Sequence, residues 1–299
     1  MSEIFSNVIK KPPKGKGNLK IEVMFINCKG RLIDLSQPKV MGILNCTPDS
    51  FFDGGKYKSE GQFVEQAEKM LTEGADFIDI GAYSSKPNAE FVSEEEELTR
   101  VVPVVELLLK HFPDTLISVD TFRAAVAKAA VESGAAIVND IAAGMLDDKM
   151  LETVGQLKVP YIMMHMRGTP QTMVKLTQYD DIVGEILLYF SERVAVARSF
   201  GIDDIIIDPG FGFAKTLSQN YEMLNKMELF KMTELPILAG MSRKSMIYKL
   251  LDITAQEALN GTTVLNTIAL QKGANILRVH DVREAVETIK IVEELRITN

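Results

Sequence analysis

Along this chain, polar residues recur just where short apolar runs end. Asn45 follows Val40–Leu44 and Asp120 follows Leu116–Val119. Asn139-Asp140 closes the run from Ala136, and Asp208-Pro209-Gly210 follows Ile205–Ile207. Ser242-Arg243-Lys244 comes shortly after Pro236–Ala239, and Arg278-Val279-His280 closes the run from Ile276. One polar residue after a strand means little, because loops are polar anyway. The repetition is the signal, and its chemistry can be read. Arg278 and His280 are two apart, so on a strand both point to one face. Such a pair suits a phosphate or pyrophosphate; the competing reading is a surface pair near a strand end. Asp120, Asn139 and Asp208 suit a flat heterocycle, because carboxylates accept N–H donors and an Asn amide both gives and takes. Buried groups of this kind reject analogues that leave them unpaired. The competing reading is that each caps the helix after it, Asp120 above all.

The formal charge is −8, which argues against broad nucleic-acid binding and repels anions. An anionic substrate therefore needs a local cationic patch, and Arg278, His280, Arg243 and Lys244 can supply one. The histidines are His111, His165 and His280, and no pair has the H-x-x-x-H spacing of a zinc site. Magnesium shared between Asn45 and substrate phosphates fits better. His165 reads as structural or as a pocket wall. Cys46, beside Asn45, can be proposed as a nucleophile, but the sequence places no His partner for it. Cys28 reads as a hairpin residue. In Asn45–Gly55, Pro48-Asp49-Ser50 and Asp53-Gly54-Gly55 are turn chemistry. Phe51 and Phe52 there read either as a lid over a ring-shaped substrate or as anchors of the loop on the scaffold.

The elements that must position these residues follow from periodicity. Ile21–Asn27 and Arg31–Asp34 flank Cys28-Lys29-Gly30 and predict a β-hairpin. Eight near-continuous apolar runs follow: the six above with Phe77–Ile80 and Tyr161–Met164. Continuous apolar runs mark strands buried on both faces. Between them the spacing is helical, as in Phe63, Ala67, Met70 and Leu71. Ser93-Glu94-Glu95-Glu96 reads as a capping box, and Thr121–Ser133 as a helix ending at Gly134. Gly184–Phe200, Gln256–Lys272 and Val282–Leu295 are similarly periodic.

Strands alternating with helices over most of 299 residues predict an α/β fold, a (β/α)8 TIM barrel with an N-terminal hairpin. The rival, a doubly wound sheet, would carry G-x-G-x-x-G after its first strand, and the chain has none there. In a barrel the carboxyl ends of the strands meet at one face, so the polar residues would converge. No Pro, Gly or Ser-rich linker divides the chain, which predicts a single domain over residues 21–299 behind a flexible tail over 1–20. The tail lysines Lys10, Lys11, Lys14 and Lys16 sit among prolines and glycines; they read as a solvated tail or a small anionic-surface contact. Hydrophobic content of 46% excludes wholesale disorder. Two cysteines, no signal-peptide pattern and no 18-residue apolar run predict a cytoplasmic protein without a membrane partner.

The segments MGILNCTPDSFFDGG, ISVDT, IVNDI, DPGFGF, GMSRKS and RVHDV occur in that order. Together they closely resemble the dihydropteroate synthases of the pterin-binding family, from about Val40 to Lys290. The resemblance implies a (β/α)8 barrel that joins 6-hydroxymethyl-7,8-dihydropterin pyrophosphate to p-aminobenzoate with Mg2+, as a homodimer. It implies that Asp120, Asn139, Met164, Asp208, Gly240 and Lys244 hold the pterin. It assigns pyrophosphate to Asn45, Ser85, Arg278 and His280, with Asn45 on the metal. It assigns p-aminobenzoate, the molecule that sulfonamides mimic, to Ser84, Ser85, Pro87, Phe213 and Ser242. Asp53, Lys244, Arg278 and His280 would be the catalytic residues.

One segment departs from the family. After the second barrel strand the family commonly reads close to GGESTRPG, whereas here it is Gly81-Ala82-Tyr83-Ser84-Ser85-Lys86-Pro87-Asn88. Ser85 keeps a hydroxyl and loses a methyl. Lys86 keeps a charge and loses the bidentate fork of Arg. Two alternatives stand beside the synthase: a non-catalytic pterin-binding paralogue and a corrinoid-linked methyltransferase on the same barrel. The methyltransferase needs no pyrophosphate grip.

Overall fold

A computed structural model describes residues 24–46, 56–83 and 92–297. The tail over 1–20, and Phe51, Phe52, Asp53, Ser84, Ser85, Lys86 and Pro87, lie outside the described residues.

Chain order begins with a hairpin. β1 (Phe25–Cys28) and β2 (Arg31–Asp34) pair antiparallel, Cys28 opposite Arg31. The turn is therefore two residues, Lys29 and Gly30, with φ of 54° and 82°. Both central φ values are positive, the geometry that matches the twist of a tight hairpin. Cys28 belongs to the strand, not to the turn.

The apolar runs form the strands expected of them: β3 (Lys39–Asn45), β4 (Phe77–Gly81), β5 (Leu116–Asp120), β6 (Ile137–Asp140), β7 (Tyr161–Met164), β8 (Ile205–Asp208), β9 (Leu238–Ala239) and β10 (Ile276–Val279). They pair in parallel in the order β8-β7-β6-β5-β4-β3-β10-β9. A parallel bridge between Ile207 and Ile237 brings β9 back beside β8 and closes the ring. β9 is shorter than the run Pro236–Ala239, because Pro236 has no N–H and only its carbonyl serves β8, accepting from Ile207 at 2.9 Å.

Strand alternation then sorts the side chains. Met41, Phe77, Leu116, Ile137, Ile162, Ile206, Leu238 and Ile276, one from each strand, share a buried cluster with the hairpin's Ile26 and Cys28 and with Leu35. This layer is the oily base of the barrel, stoppered by the hairpin. Two residues further along each chain path, the same face carries Ile43, Asp79, Ser118, Asn139, Met164, Asp208, Gly240 and Arg278. The second layer is polar in five of its eight places.

Helices cover the outside: α1 (Lys56–Glu73), α2 (Glu94–His111), α3 (Ala124–Glu132), α4 (Met150–Leu157), α5 (Ile182–Ser199), α6 (Leu217–Asn225), α7 (Ser245–Leu251), α8 (Leu259–Gln271) and α9 (Val282–Ile297). Ser93 Oγ accepts from Glu96 N–H at 3.1 Å, one half of the expected capping box; the Glu96 carboxylate pairs with Arg100 instead. A complete box forms at α6, between Thr216 and Gln219. α3 starts at Ala124, three residues after the predicted Thr121, and its first N–H donates to Asp147 Oδ2 at 2.7 Å. Among the described residues no helix is long and apolar enough to cross a membrane.

Candidate active site

The centre of the polar layer is Arg278, on β10, with its side chain 18% exposed. Its Nε donates to Asp79 Oδ2 at 2.6 Å and its Nη2 to Asp120 Oδ2 at 2.6 Å. Asn139 Nδ2 donates to the same Asp79 oxygen at 3.1 Å. Four residues expected or found on four strands therefore meet in one network. Asp79 is fully buried and was not anticipated. Asp120 does not cap α3, whose N-cap is Arg123, and Asp208 does not cap α6, whose N-cap is Thr216. The capping alternative fails for both, and α4 begins too far from Asn139 for it to cap there.

Burial pushes the Asp120 carboxyl up to about 7; Arg278 opposes this and Asp79 adds to it. Burial opposes charge on Arg278, yet Asp79 and Asp120 outweigh it and raise its pKa. The Asp120 shift has a stability consequence. A carboxyl whose folded pKa exceeds its unfolded value near 3.8 stabilises the fold below that value, and the contribution is lost as pH rises through about 7. An Asn in its place has no proton to lose. Asp120→Asn is therefore expected to gain stability relative to wild type between about pH 4 and pH 8, by about 1.4 kcal/mol for each pH unit between the two pKa values and so roughly 4 kcal/mol at most. Urea midpoints of both proteins across that range check it; a flat difference refutes it.

The loop after β8 supplies the second group. Asp208 Oδ1 accepts from Gly210 N–H at 2.7 Å, a turn that holds the carboxylate inward. Gly210, Gly212 and Ala214 have φ of 73°, 83° and 48°, so the loop doubles back tightly. Two lysines grip it. Lys244 Nζ donates to Phe211 O at 2.6 Å and lies 4.7 Å from the centre of the Phe213 ring. Lys215 Nζ, nearly buried, donates to Gly210 O and Phe213 O, both at 2.9 Å, and lies 3.0 Å from His165 Nδ1. Burial lowers Lys244 to about 8, with Asp208 partly restoring it, and lowers Lys215 to about 7. Burial and then Lys215 hold His165 well below its ordinary pKa, so it stays neutral. Lys215 was not anticipated from the sequence. Gly240 leaves open the space between these groups: a Cβ there would lie 3.8 Å from Lys244 Nζ and 3.9 Å from Asp208 Oδ2.

Ser242, His280 and Asn45 occupy the rim. Ser242 Oγ lies 3.0 Å from His280 Nδ1 and accepts from His280 N–H at 3.1 Å. His280 and Asn45 are exposed, Phe213 is half-buried, and Met164 is buried on the inward face. Two expectations need correction. Arg243 does not join the cationic patch: its guanidinium forks onto Asp281 with two bonds of 2.8 Å and donates to Ala255 O and Gln256 O. Asp140 does not face the cup: it accepts from Tyr161 O–H at 2.5 Å and from the N–H groups of Ala142 and Gly144. Arg243 staples two rim loops together, and Asp140 braces a turn. Cys46 is buried and its thiol is pushed up to about 12, so it stays protonated and is no nucleophile.

Comparison with known proteins agrees with this geometry. The family described as "Pterin binding enzyme" matches residues 41–280. The dihydropteroate synthase of Escherichia coli strain K12 is 44% identical over 272 residues, covering 90% of this chain and 96% of that protein. The dihydropteroate synthase of Synechocystis is 45% identical over 259 residues, covering 86% and 89%. Among solved structures, the Yersinia pestis dihydropteroate synthase with a sulfonamide drug superposes with a TM-score of 0.86 at 43% identity, covering 92% of this chain and all of that one. The Xanthomonas albilineans dihydropteroate synthase with 4-aminobenzoic acid gives 0.85 at 38% identity, covering 92% and 98%. By extent of match, identity and fold, the chain belongs to the dihydropteroate synthases of the pterin-binding enzyme family.

Proposed function

We propose that this chain makes 7,8-dihydropteroate and pyrophosphate from 6-hydroxymethyl-7,8-dihydropterin pyrophosphate and p-aminobenzoate, a transferase step of folate biosynthesis. The observation that carries the reading is the buried network of Arg278, Asp79, Asp120 and Asn139 at the base of a cup that also holds Asp208 and Lys244. No observation favours the non-catalytic paralogue.

In this reading Asp120, Asn139 and Asp208 take the hydrogen-bonding edge of the pterin, between Met164 and Gly240, with Lys244 beside them. Arg278 and His280 take the pyrophosphate with Asn45 and Ser85. The aniline rests near Phe213 and Ser242 and the segment of Ser84, Ser85 and Pro87. Breaking the methylene C–O bond leaves positive charge on the pterin and negative charge on the pyrophosphate. Arg278 and His280 face that negative charge as it grows, where fixed donors act most strongly. The aniline nitrogen attacks the methylene and then loses its proton to solvent. Little acid–base chemistry is needed; positioning carries the rate. Asp53, in the first loop, would help order the closed site and exclude water.

The donor set also bears on magnesium. Asn45 offers one exposed amide oxygen, and among the described residues no group of three His, Cys, Asp or Glu can hold a metal. That fits an ion drawing most of its oxygen ligands from substrate phosphates and water, with Asn45 as the chain's contribution. Bound there, it would offset charge on the departing pyrophosphate. A homodimer in the cytoplasm, acting on small molecules without nucleic acid, belongs to the same proposal; the free, buried Cys28 and Cys46 suit a reducing compartment, and the charge of −8 argues against nucleic acid.

The test is pyrophosphate release from the pterin pyrophosphate with Mg2+, with and without p-aminobenzoate, alongside detection of dihydropteroate. Product formed only with both substrates is the expected result. Pterin binding with no product at any aniline concentration would reject the synthase.

A further inference from the structure

We propose that Asp79 is a positioning residue that fixes both halves of the substrate site through one oxygen atom. The proposal rests on the pterin and pyrophosphate reading above. Asp79 lies in the middle of β4, fully buried, and its Oδ2 accepts from Arg278 Nε at 2.6 Å and from Asn139 Nδ2 at 3.1 Å. Its other oxygen, Oδ1, is buried with no hydrogen-bond partner among the described residues.

Two consequences follow from that one acceptor. Asp79 Oδ2 accepts, so the Asn139 amide turns its Nδ2 toward Asp79. Asn139 Oδ1 is thereby aimed elsewhere, as an acceptor for the N–H groups of a heterocycle. The second consequence concerns Arg278. With Nε held by Asp79, the guanidinium keeps its plane while Nη2 changes partner. Nη2 now bonds to Asp120. When a pterin pyrophosphate enters, Nη2 passes from Asp120 to a phosphate oxygen, and Asp120 is released to the heterocycle. Asp79 touches neither half of the substrate, yet it orients the group that touches each.

A carboxylate that merely neutralised Arg278 would affect folding and little else. The variant that separates the two roles is Asp79→Asn, of the same size. The probes are 6-hydroxymethylpterin, without phosphate, and magnesium pyrophosphate, each titrated calorimetrically. The expected result is weakening of both probes by about tenfold or more, as for lost bonds to charged groups. Turnover falls by about 100-fold, the scale of a misplaced reacting group, while KM for p-aminobenzoate stays within about twofold. In a double-mutant cycle, Asp79→Asn with Asn139→Ala binds the pterin probe no more weakly than Asn139→Ala alone, because Asp79 acts through Asn139. Unchanged affinity for either probe, or additive losses in the cycle, would overturn the proposal. Should the variant not fold, 15N-arginine-labelled wild type decides: the Arg278 Nε–H signal should exchange slowly with solvent and survive pyrophosphate binding. Free exchange, or loss of the signal on binding, rejects the pinning. A wild type that makes no dihydropteroate overturns the functional reading and this proposal with it; an active wild type with an equally active Asp79→Asn overturns this proposal alone.

Discussion

Arg278→Ala should lower kcat/KM for dihydropteroate formation by about 1,000-fold, the upper range for removing a preorganised donor from a developing anion. The loss has two physical parts. The first is charge: with Arg278 gone, Lys244 at Phe211 O and Lys215 under the same loop are among the cations left near the cup. The second is structural, because Asp79 and Asp120 lose their common partner. Removing one member of a buried ion pair typically costs about 3–5 kcal/mol. Asp120 limits that cost, since its carboxyl already titrates near 7 and takes up a proton readily once Arg278 is absent. The melting temperature should therefore fall by less than two stranded carboxylates would suggest, and fall least at acid pH. Arg278→Lys separates the parts. It restores charge without the fork, so stability should recover further than activity. Steady-state kinetics and thermal melts of the three proteins test this, and an Arg278→Ala enzyme within about tenfold of wild type would remove Arg278 from the mechanism.

Gly210→Ala is the second large effect, and it acts through the backbone. Gly210 has φ of 73°, and a Cβ there would stand 2.1 Å from the carbonyl oxygen of His165. A left-handed conformation costs an L-residue about 1–2 kcal/mol, and forced repacking adds about 1–3. A rigid backbone carbonyl cannot step aside as a side-chain tip can, so the sum should be near 4 kcal/mol. The loop cannot shift alone. Gly210 N–H orients Asp208, and Gly210 O is one of the three atoms on Lys215. Denaturant unfolding should show the destabilisation, and pterin affinity measured well below the midpoint should fall with it. A stable variant with wild-type pterin affinity would mean that this loop is softer than its contacts imply.

Much of this architecture is legible in the residues, and the exceptions have physical reasons. Doubly buried parallel strands must be apolar throughout, so runs such as Ile205–Ile207 stand out, and polar residues at their ends stand out with them. Adjacent polar residues are harder. Asn139 and Asp140 are neighbours, and only strand register decides that the first faces the barrel and the second the turn. Arg243 and Lys244 are neighbours too, and the φ of 53° at Arg243 sends its guanidinium away to Asp281. Asp79 carried a usable signal: a carboxylate inside an otherwise apolar strand, FIDIG, is costly unless partnered. It sits mid-strand, whereas attention falls on strand ends. Lys215 carried no such signal, because its contacts exist only once the loop after β8 has folded back over it.

The hairpin under the barrel has a bearing on traffic. Ile26 and Cys28, with Leu35, close the base, so among the described residues the cup opens at the carboxyl ends of the strands. Molecules that bind at different depths in such a vessel must queue. On the proposed reading the heterocycle would sit deepest, against Asn139 and Asp208, and the aniline nearer the rim, at Phe213 and Ser242. On that reading the pterin would arrive before its partner, and an aniline that arrived early would bar the way. The joined product, anchored by its deep end, would then leave only after the pyrophosphate above it had gone.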